Sequence, residues 1–342
     1  MALSDQEVLE QSKNAFRQWE PLWRSNAEIN GKSFKESGTK IKDIMFNGTG
    51  KSLVCCATGP SFEDQIHLLK KYRDNIEIAC VDKCYGMLIE NDIIPDYVFI
   101  ADAAIDYEKW CKPYIDKSEN TVLLTCITAN PEWQLHWKGK KYFYVNKDNI
   151  QSENVFSPIS GCYDVIPASS NVGNSVVVFA SQVLFYDQYL LLGYDYSWGY
   201  DDNYYAFTDS DKRYWMKHVQ IIDNSGRLVA TSQNLLFSSR WMDDFNTAMV
   251  QSRKAKIFNC SGKGISNVPM LDLERCLIKS ERRELKQNDM DIIMKSLKET
   301  ISISATEAQE NPNILNETMR GLHIMNVNIE HIPQEVIQSW SS

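Results

Sequence analysis

No stretch of this chain approaches the roughly 20 consecutive apolar residues that a membrane span requires. The first residues, MALSDQEVLE, lack the basic start and apolar run of a secretory signal, so a soluble, cytoplasmic protein is expected. An excess of basic residues is missing as well. The formal net charge is −9, which excludes a surface that is basic throughout and makes nonspecific nucleic-acid binding a poor expectation. A local basic groove would have to come from Lys32–Lys51 or Arg253–Lys256. Paired cysteine spacing is missing too. The nine cysteines are odd in number, and several lie inside apolar runs such as Leu53-Val54-Cys55-Cys56, as buried free thiols of a reducing compartment do. Cys80 and Cys84 are the one close pair. A structural zinc needs four ligands, so no metal is expected there. Internal repeats and low-complexity tracts are also absent.

What is present is enough apolar residue, 43% of 342, for a proper core. Residues 4–29 read as a helix that Ser4 can cap, with Phe16, Trp19, Leu22 and Trp23 at helical spacing. Residues 31–51 hold five lysines and four glycines and read as a linker or basic loop. From residue 52 short apolar strands alternate with helices. Strands are expected at Ser52–Ala57, Ile76–Asp82, Tyr97–Asp102, Thr121–Cys126, Lys141–Val145, Gln188–Asp195 and Lys256–Asn259. Helices are expected at Phe62–Tyr72, Tyr85–Asn91, Tyr107–Asp116, Ser175–Phe185 and Gln233–Gln251. Asn224-Ser225-Gly226 between two short apolar runs signals a hairpin.

This order predicts an α/β fold, a Rossmann-like doubly wound and mostly parallel sheet with helical N- and C-terminal extensions. The expected divisions are a helical extension and linker over 1–45, a nucleotide-binding catalytic domain over 46–272 and a helical subdomain over 273–342. The amphipathic stretch Asp289–Ile303 in the last could cover the core or serve an oligomer contact.

Ligands of such sheets bind outside the carboxyl ends of the strands, where this sequence places Gly59-Pro60-Ser61, Asp82, Asp102 and Asp195. Gly59 would let the backbone approach a ligand. Ser61, with Asp64, would cap the next helix, whose free N–H groups would form an anion or hydroxyl site. A second polar loop, Ser169-Ser170-Asn171-Val172-Gly173-Asn174-Ser175, enters an apolar helix with more hydroxyl and amide groups than capping requires. A third, from Gly193 through Asp195 to Tyr204-Tyr205-Ala206-Phe207, is aromatic, and tyrosine hydroxyls can donate to a departing phosphate. Lys212, Arg213 and His218 follow it and could supply charge or a base. Gly48-Thr49-Gly50-Lys51-Ser52 is not a P-loop, because Met45 stands at the first glycine position and the segment precedes a strand. The acidic pairs Asp201-Asp202 and Asp209/Asp211 read as solvated loop residues.

Taken in order, Ala57-Thr58-Gly59-Pro60-Ser61-Phe62, Ile94 to Asp102, Ser170 to Asn174 and Leu191 to Asp195 resemble the motility accessory factor and 6-hydroxymethylpterin diphosphokinase MptE-like family, over roughly residues 50–275. The chain is more distantly similar to bacterial CMP-sialic-acid sialyltransferases. That likeness implies that Gly59, Pro60, Ser61, Gly173 and Asn174 surround a nucleotide, with Asp82 where those transferases have a nucleotide-contacting Asn; Asp102, Ser170 and Asn171 join them as expected nucleotide-binding residues from the strand-end and loop positions alone. It further implies that Tyr205 touches the nucleotide's phosphate and that Asp195 lies beside it, both expected to assist the chemistry, while Arg213 is expected to assist from its place after the aromatic loop. The sialyltransferases' catalytic histidine corresponds to Thr231 here, and His218 is the nearest histidine that could replace it.

The expected activity is a glycosyltransferase that moves a sugar from a nucleotide-activated donor, a CMP-sugar first, to a hydroxyl acceptor. Protein Ser/Thr, a glycan or a hydroxymethylated base of phage DNA are acceptors of that kind. The donor needs no metal. Two alternatives stand beside this one: a Mg2+- and ATP-dependent pyrophosphokinase of a pterin-like alcohol, and a non-catalytic nucleotide-binding or assembly protein.

Overall fold

The runs Ser52–Cys56, Glu77–Val81, Tyr97–Ile100 and Val122–Cys126 are almost wholly apolar, without the alternation of a half-exposed strand. Such strands must be covered on both faces, which a parallel sheet between helical layers achieves. The computed structural model, which describes residues 5–207, 219–253 and 256–279, contains that sheet. Eight parallel strands are β1 (Ser52–Cys56), β2 (Glu77–Val81), β3 (Tyr97–Ile100), β4 (Val122–Cys126), β5 (Lys141–Lys147), β6 (Val165–Pro167), β7 (Gln188–Leu192) and β10 (Lys256–Asn259). Their spatial order is β10-β7-β1-β2-β3-β4-β5-β6. The hairpin β8 (Val219–Ile222) and β9 (Leu228–Thr231) pairs antiparallel on its own, as its turn residues predict.

The chain winds outward from β1 to β6, then returns to place β7 against the other side of β1, with Cys56 opposite Leu192. The crevice beyond the ends of β1 and β7 is therefore the topological switch point of the sheet. Helices flank the sheet: α2 (Ser61–Lys71), α3 (Asp82–Glu90), α4 (Tyr107–Trp110), α5 (Pro131–His136), α6 (Glu153–Ser160), α7 (Val172–Phe179), α8 (Gln233–Arg253) and α9 (Leu273–Lys279). The apolar α7 packs across β1, β2 and β3, α2 against β7 and α8 against β10. The main core follows, with Leu53, Val54, Phe62, Phe99, Leu124, Phe179 and Leu191 at or near zero exposure, and a smaller cluster with Ala27, Phe34, Phe143 and Phe156 lies under α1.

Several local expectations are corrected. Helix α1 runs from Asp5 to Ser37, well past residue 29, and a 3-10 turn follows at Ile41–Ile44. Residues 31–37 belong to α1, and the turns of 38–51 are packed on the body of the protein: Phe34, Ile41, Ile44 and Met45 are buried, and Gly31 packs on the backbone of Ser160 with no room for a Cβ. Apolar residues spaced among the lysines hold this segment to the core. Helix α1 is pinned by two buried amides. Asn26 donates to the carbonyls of Ala103 and Thr128, and Asn30 to those of Ile127 and Ala129. Residues 107–120 form the short α4 and a 3-10 stretch from Lys112 instead of one α-helix, and α7 starts at Val172 and ends in a π-helical turn, Ala180–Leu184.

Eight of the nine cysteines are buried and all are free thiols. Burial pushes the Cys55, Cys80 and Cys84 thiols well above their ordinary range. Among the described residues no helix is long and apolar enough to cross a membrane. Ser4, and the tail from residue 280 with its Asp289–Ile303 pattern, lie outside the described residues.

Candidate functional site

The three polar loops singled out by their composition meet at the switch point. The Gly59 amide donates to the Gly193 carbonyl at 2.9 Å, joining the ends of β1 and β7. The Ala206 amide donates to the Thr58 carbonyl at 3.0 Å, which lays the aromatic loop over the first. A Cβ at Gly173 would lie 3.6 Å from the Ala57 Cβ, so the second loop abuts the first as well. The Tyr194 hydroxyl donates to the Gly173 carbonyl at 2.7 Å and ties the second loop to the third.

Asp195 stands at the centre of this junction. It is 2% exposed, and its Oδ2 accepts the Ser61 amide at 2.7 Å. The start of α2 is therefore capped from β7 by a carboxylate distant in sequence. This corrects the expectation that Ser61 caps α2 itself: Pro60 is the N-cap, Ser61 is the first helical residue, and no side-chain cap bond is made from within the loop. It also corrects the view of α2 as a free anion site. The Ser61 amide is taken by Asp195 and the Phe62 amide by the Gly59 carbonyl, with Glu63 and Asp64 next in the first turn.

Burial pushes the Asp195 carboxyl up to about 6, against the pull of Ser61 and Lys263. Neither Asp195 Oδ1 nor the Ser61 hydroxyl completes a hydrogen bond of ordinary geometry, and both are buried. Three glycines make room for this carboxylate. A Cβ at Gly59 would sit 2.5 Å from the Gly193 carbonyl oxygen and 2.7 Å from Asp195 Oδ2. Gly193 has φ +75, and a Cβ there would meet the Ala57 carbonyl oxygen at 2.1 Å. Gly264 has φ +107, and a Cβ there would lie 2.9 Å from the Asp195 backbone.

The second loop is more self-contained than its composition suggests. Asn171 is the N-cap of α7, and its Oδ1 accepts the Asn174 amide at 2.8 Å. The fully buried Asn174 side chain donates to Ser170 Oγ and to the Ser238 carbonyl, and accepts the Tyr196 hydroxyl at 2.7 Å. Asn174 thus clamps the loop to α8 and to the strand end carrying Asp195.

Positive charge enters from a residue that the sequence reading missed. Lys83 Nζ lies 2.9 Å from the Tyr205 hydroxyl and 4.5 Å from the centre of its ring. Trp110 is on its other side at 5.9 Å. Lys83 directly follows Asp82, which begins α3 at the carboxyl end of β2; the same strand-end rule that selected Asp82 reaches it one residue further on. Asp82 is 5% exposed and its Oδ1 accepts the Lys83 amide. Burial pushes its carboxyl up to about 6, Lys83 opposes this, and the charge of Asp102 on the neighbouring strand end adds to the rise. Asp102 is exposed and accepts the Ala104 amide. Lys263, which also escaped the sequence reading, bonds Asp64 at 2.8 Å beneath Tyr200.

His218, Arg213 and Lys212 lie outside the described residues, as do Asp209 and Asp211. Thr231 is buried and donates to the Tyr196 carbonyl. Asp201 accepts from Asn203. Among the described residues no group of three or more His, Cys, Asp or Glu side chains is arranged to hold a metal ion.

No curated protein matches the chain. Among solved structures, it is similar to the MAf glycosyltransferase from Magnetospirillum magneticum AMB-1, at 17% identity and a TM-score of 0.53. The match covers 95% of this chain and 55% of that one, so the chain spans about half the length of that structure. At this identity the likeness is one of fold. Residues 25–201, more than half of the chain and including the first two loops and Asp195, match the family model described as 6-hydroxymethylpterin diphosphokinase MptE-like. The chain belongs to the MptE-like family.

Proposed function

We propose that the protein is a glycosyltransferase that takes a sugar from a nucleotide-activated donor, with a CMP-sugar as the first candidate, and passes it to a hydroxyl acceptor. The observation that carries this reading is the Lys83–Tyr205 pair beside three converging loops at the switch point. The loops form a polar cradle for a nucleoside. Loss of a nucleotide from an activated sugar leaves negative charge on its phosphate, and an ammonium with a phenolic O–H is a fitting receiver for that charge. The capped start of α2 is closed to a phosphate by Asp195, so the phosphate belongs near Lys83 and Tyr205, and Gly59, Pro60 and Ser61 wall the nucleoside.

Asp82 is the fitting base. A carboxyl held near 6 is largely ionised at neutral pH yet more basic than an exposed one, and it can accept the acceptor's hydroxyl proton. Asp195, bonded to Ser61, positions the loop. The reading is tested by incubating the full chain with CMP-, UDP- and GDP-sugars and following binding and nucleotide release. Turnover that falls sharply in Lys83→Met with the fold intact supports it; no binding of any of these donors by folded protein overturns it.

A second reading has its own support in the family description, a pyrophosphokinase acting on a pterin-like alcohol with ATP and Mg2+. Asp82 and Asp102, close enough to influence each other at adjacent strand ends, are then the carboxylates facing the metal. Release of AMP from ATP in the presence of such an alcohol distinguishes it.

A further inference from the structure

A separate cavity opens at the carboxyl ends of β3 to β6, the part of this sheet edge that the three loops leave unused. Its volume is about 110 Å³, and Trp23, Asn146, Asp148, Ser152 and Phe156 stand in its wall with Ala101 and Ala168. An apolar cavity of about 150 Å³ accepts a benzene ring, so this one seats part of a single ring, the rest facing its open side.

We infer that this cavity is the acceptor subsite and that it takes a sugar ring, presenting one of that ring's hydroxyls for transfer. The inference rests on the transferase reading for the role of the cavity, and on the cavity's own wall for the class of ligand. One chain connection joins it to the switch point, Ala168 preceding the Ser169–Ser175 loop, and another leads toward it, Ala101 preceding Asp102 at the end of β3. A second substrate seated there shares the Ser169–Ser175 loop with the donor.

The wall has the chemistry of saccharide recognition. Trp23 offers an aromatic surface for the C–H face of a sugar. It is held edge-on to Phe156, at 6.1 Å and 88°, and to Phe16 at 5.9 Å. Asn26, one turn on, fixes that part of α1 to the carbonyls of Ala103 and Thr128. Opposite stand groups with hydrogen-bonding capacity to spare. The Asn146 carboxamide makes no hydrogen bond among the described residues. Asp148 uses Oδ1 to accept the Ile150 and Ser152 amides, and the Ser152 hydroxyl has only a long 3.5 Å contact with the Asn146 carbonyl. A carboxylate, a carboxamide and a hydroxyl around one aromatic wall match neighbouring hydroxyls on a ring. The Asp148 carboxylate and the net charge of −9 disfavour a nucleic-acid acceptor. The wall also gives the long α1 a function beyond covering the sheet.

The test uses the full chain and a panel of methyl glycosides of common hexoses and N-acetylhexosamines, with binding followed by saturation-transfer NMR. Nucleotide binding is measured in parallel. At least one glycoside is expected to bind, with affinity reduced tenfold or more in Asp148→Asn and in Trp23→Phe, while nucleotide affinity stays within twofold of the parent. Trp23→Phe keeps the aromatic cluster, and Asn146→Ala is a further variant that leaves the α1 packing untouched. Absence of binding by every glycoside overturns the inference, as does binding that is indifferent to all three substitutions. Preference for a serine peptide or a hydroxymethylated base at the same residues also overturns it. Failure of nucleotides to bind, with glycosides still held by these residues, overturns the transferase reading instead and leaves a saccharide site.

Discussion

The Asp195 carboxylate accepts a hydrogen bond from the Ser61 amide across 134 residues of chain, and this bond closes the junction of β1, α2 and β7. Removing it exposes a helix start that no other side chain serves. Asp195→Ala is therefore expected to cost about 1–3 kcal/mol of stability, read by chemical denaturation. Asp195→Asn keeps an acceptor oxygen and is expected to cost less. Equal losses in the two variants would mean that charge, not the cap, is what matters.

The pH dependence of stability has a definite sign. Asp82 and Asp195 have an ordinary carboxyl range near 3.8 when unfolded and are held at about 6 when folded. Between those values the folded protein binds more protons than the unfolded chain. These groups therefore favour folding below about pH 4, and that contribution is lost as pH rises through about 6, each group accounting for roughly 2–3 kcal/mol. Denaturation midpoints across pH 4–7 are expected to fall less steeply in Asp82→Asn than in the parent. An unchanged slope would remove Asp82 from this account.

Gly59→Ala is expected to destabilise by about 1–3 kcal/mol, because the new methyl meets a backbone carbonyl and a carboxylate that cannot both move. Thermal melts of this variant beside Gly226→Ala give the contrast. Gly226 has a positive φ but open space around it, so its cost is backbone strain alone.

Lys83→Met and Tyr205→Phe are expected to fold like the parent and to lower the turnover number at least tenfold, about 1.4 kcal/mol of transition-state stabilisation. If the Michaelis constant for the donor rises while turnover is kept, the pair only binds the nucleotide and does not help it leave.

Asn174→Ala removes three hydrogen bonds of a buried side chain and leaves the Tyr196 hydroxyl without its acceptor. A loss of about 1–3 kcal/mol is expected, together with weaker nucleotide binding through displacement of the loop. Preserved stability with lost binding would instead assign the amide directly to the ligand.

Much of this was legible in the sequence because parallel strands buried on both faces leave a plain mark. Leu53–Cys56, Glu77–Val81 and Gln188–Leu192 read as strands, and their carboxyl ends pointed to Gly59, Asp82 and Asp195. The turn chemistry of Asn224-Ser225-Gly226 placed the hairpin. What escaped were relationships fixed only by tertiary contact. Nothing local marks Lys83 as a neighbour of Tyr205, or Gly264 as the residue that lets the chain pass Asp195. The three-residue β6 and the short α5 and α6 fall below the length at which periodicity speaks. The lysines of 31–51 hid an apolar side that shows only once α1 lies on α6.

The strand order carries a consequence for biosynthesis. The partner of β1 on one side, β7, is made more than 130 residues after it. Through that interval β1 can pair with β2 alone and offers an open, largely apolar edge. The nascent chain thus has a long window for mispairing, and slow translation or low temperature during expression would shift the outcome by changing how long that edge stays bare.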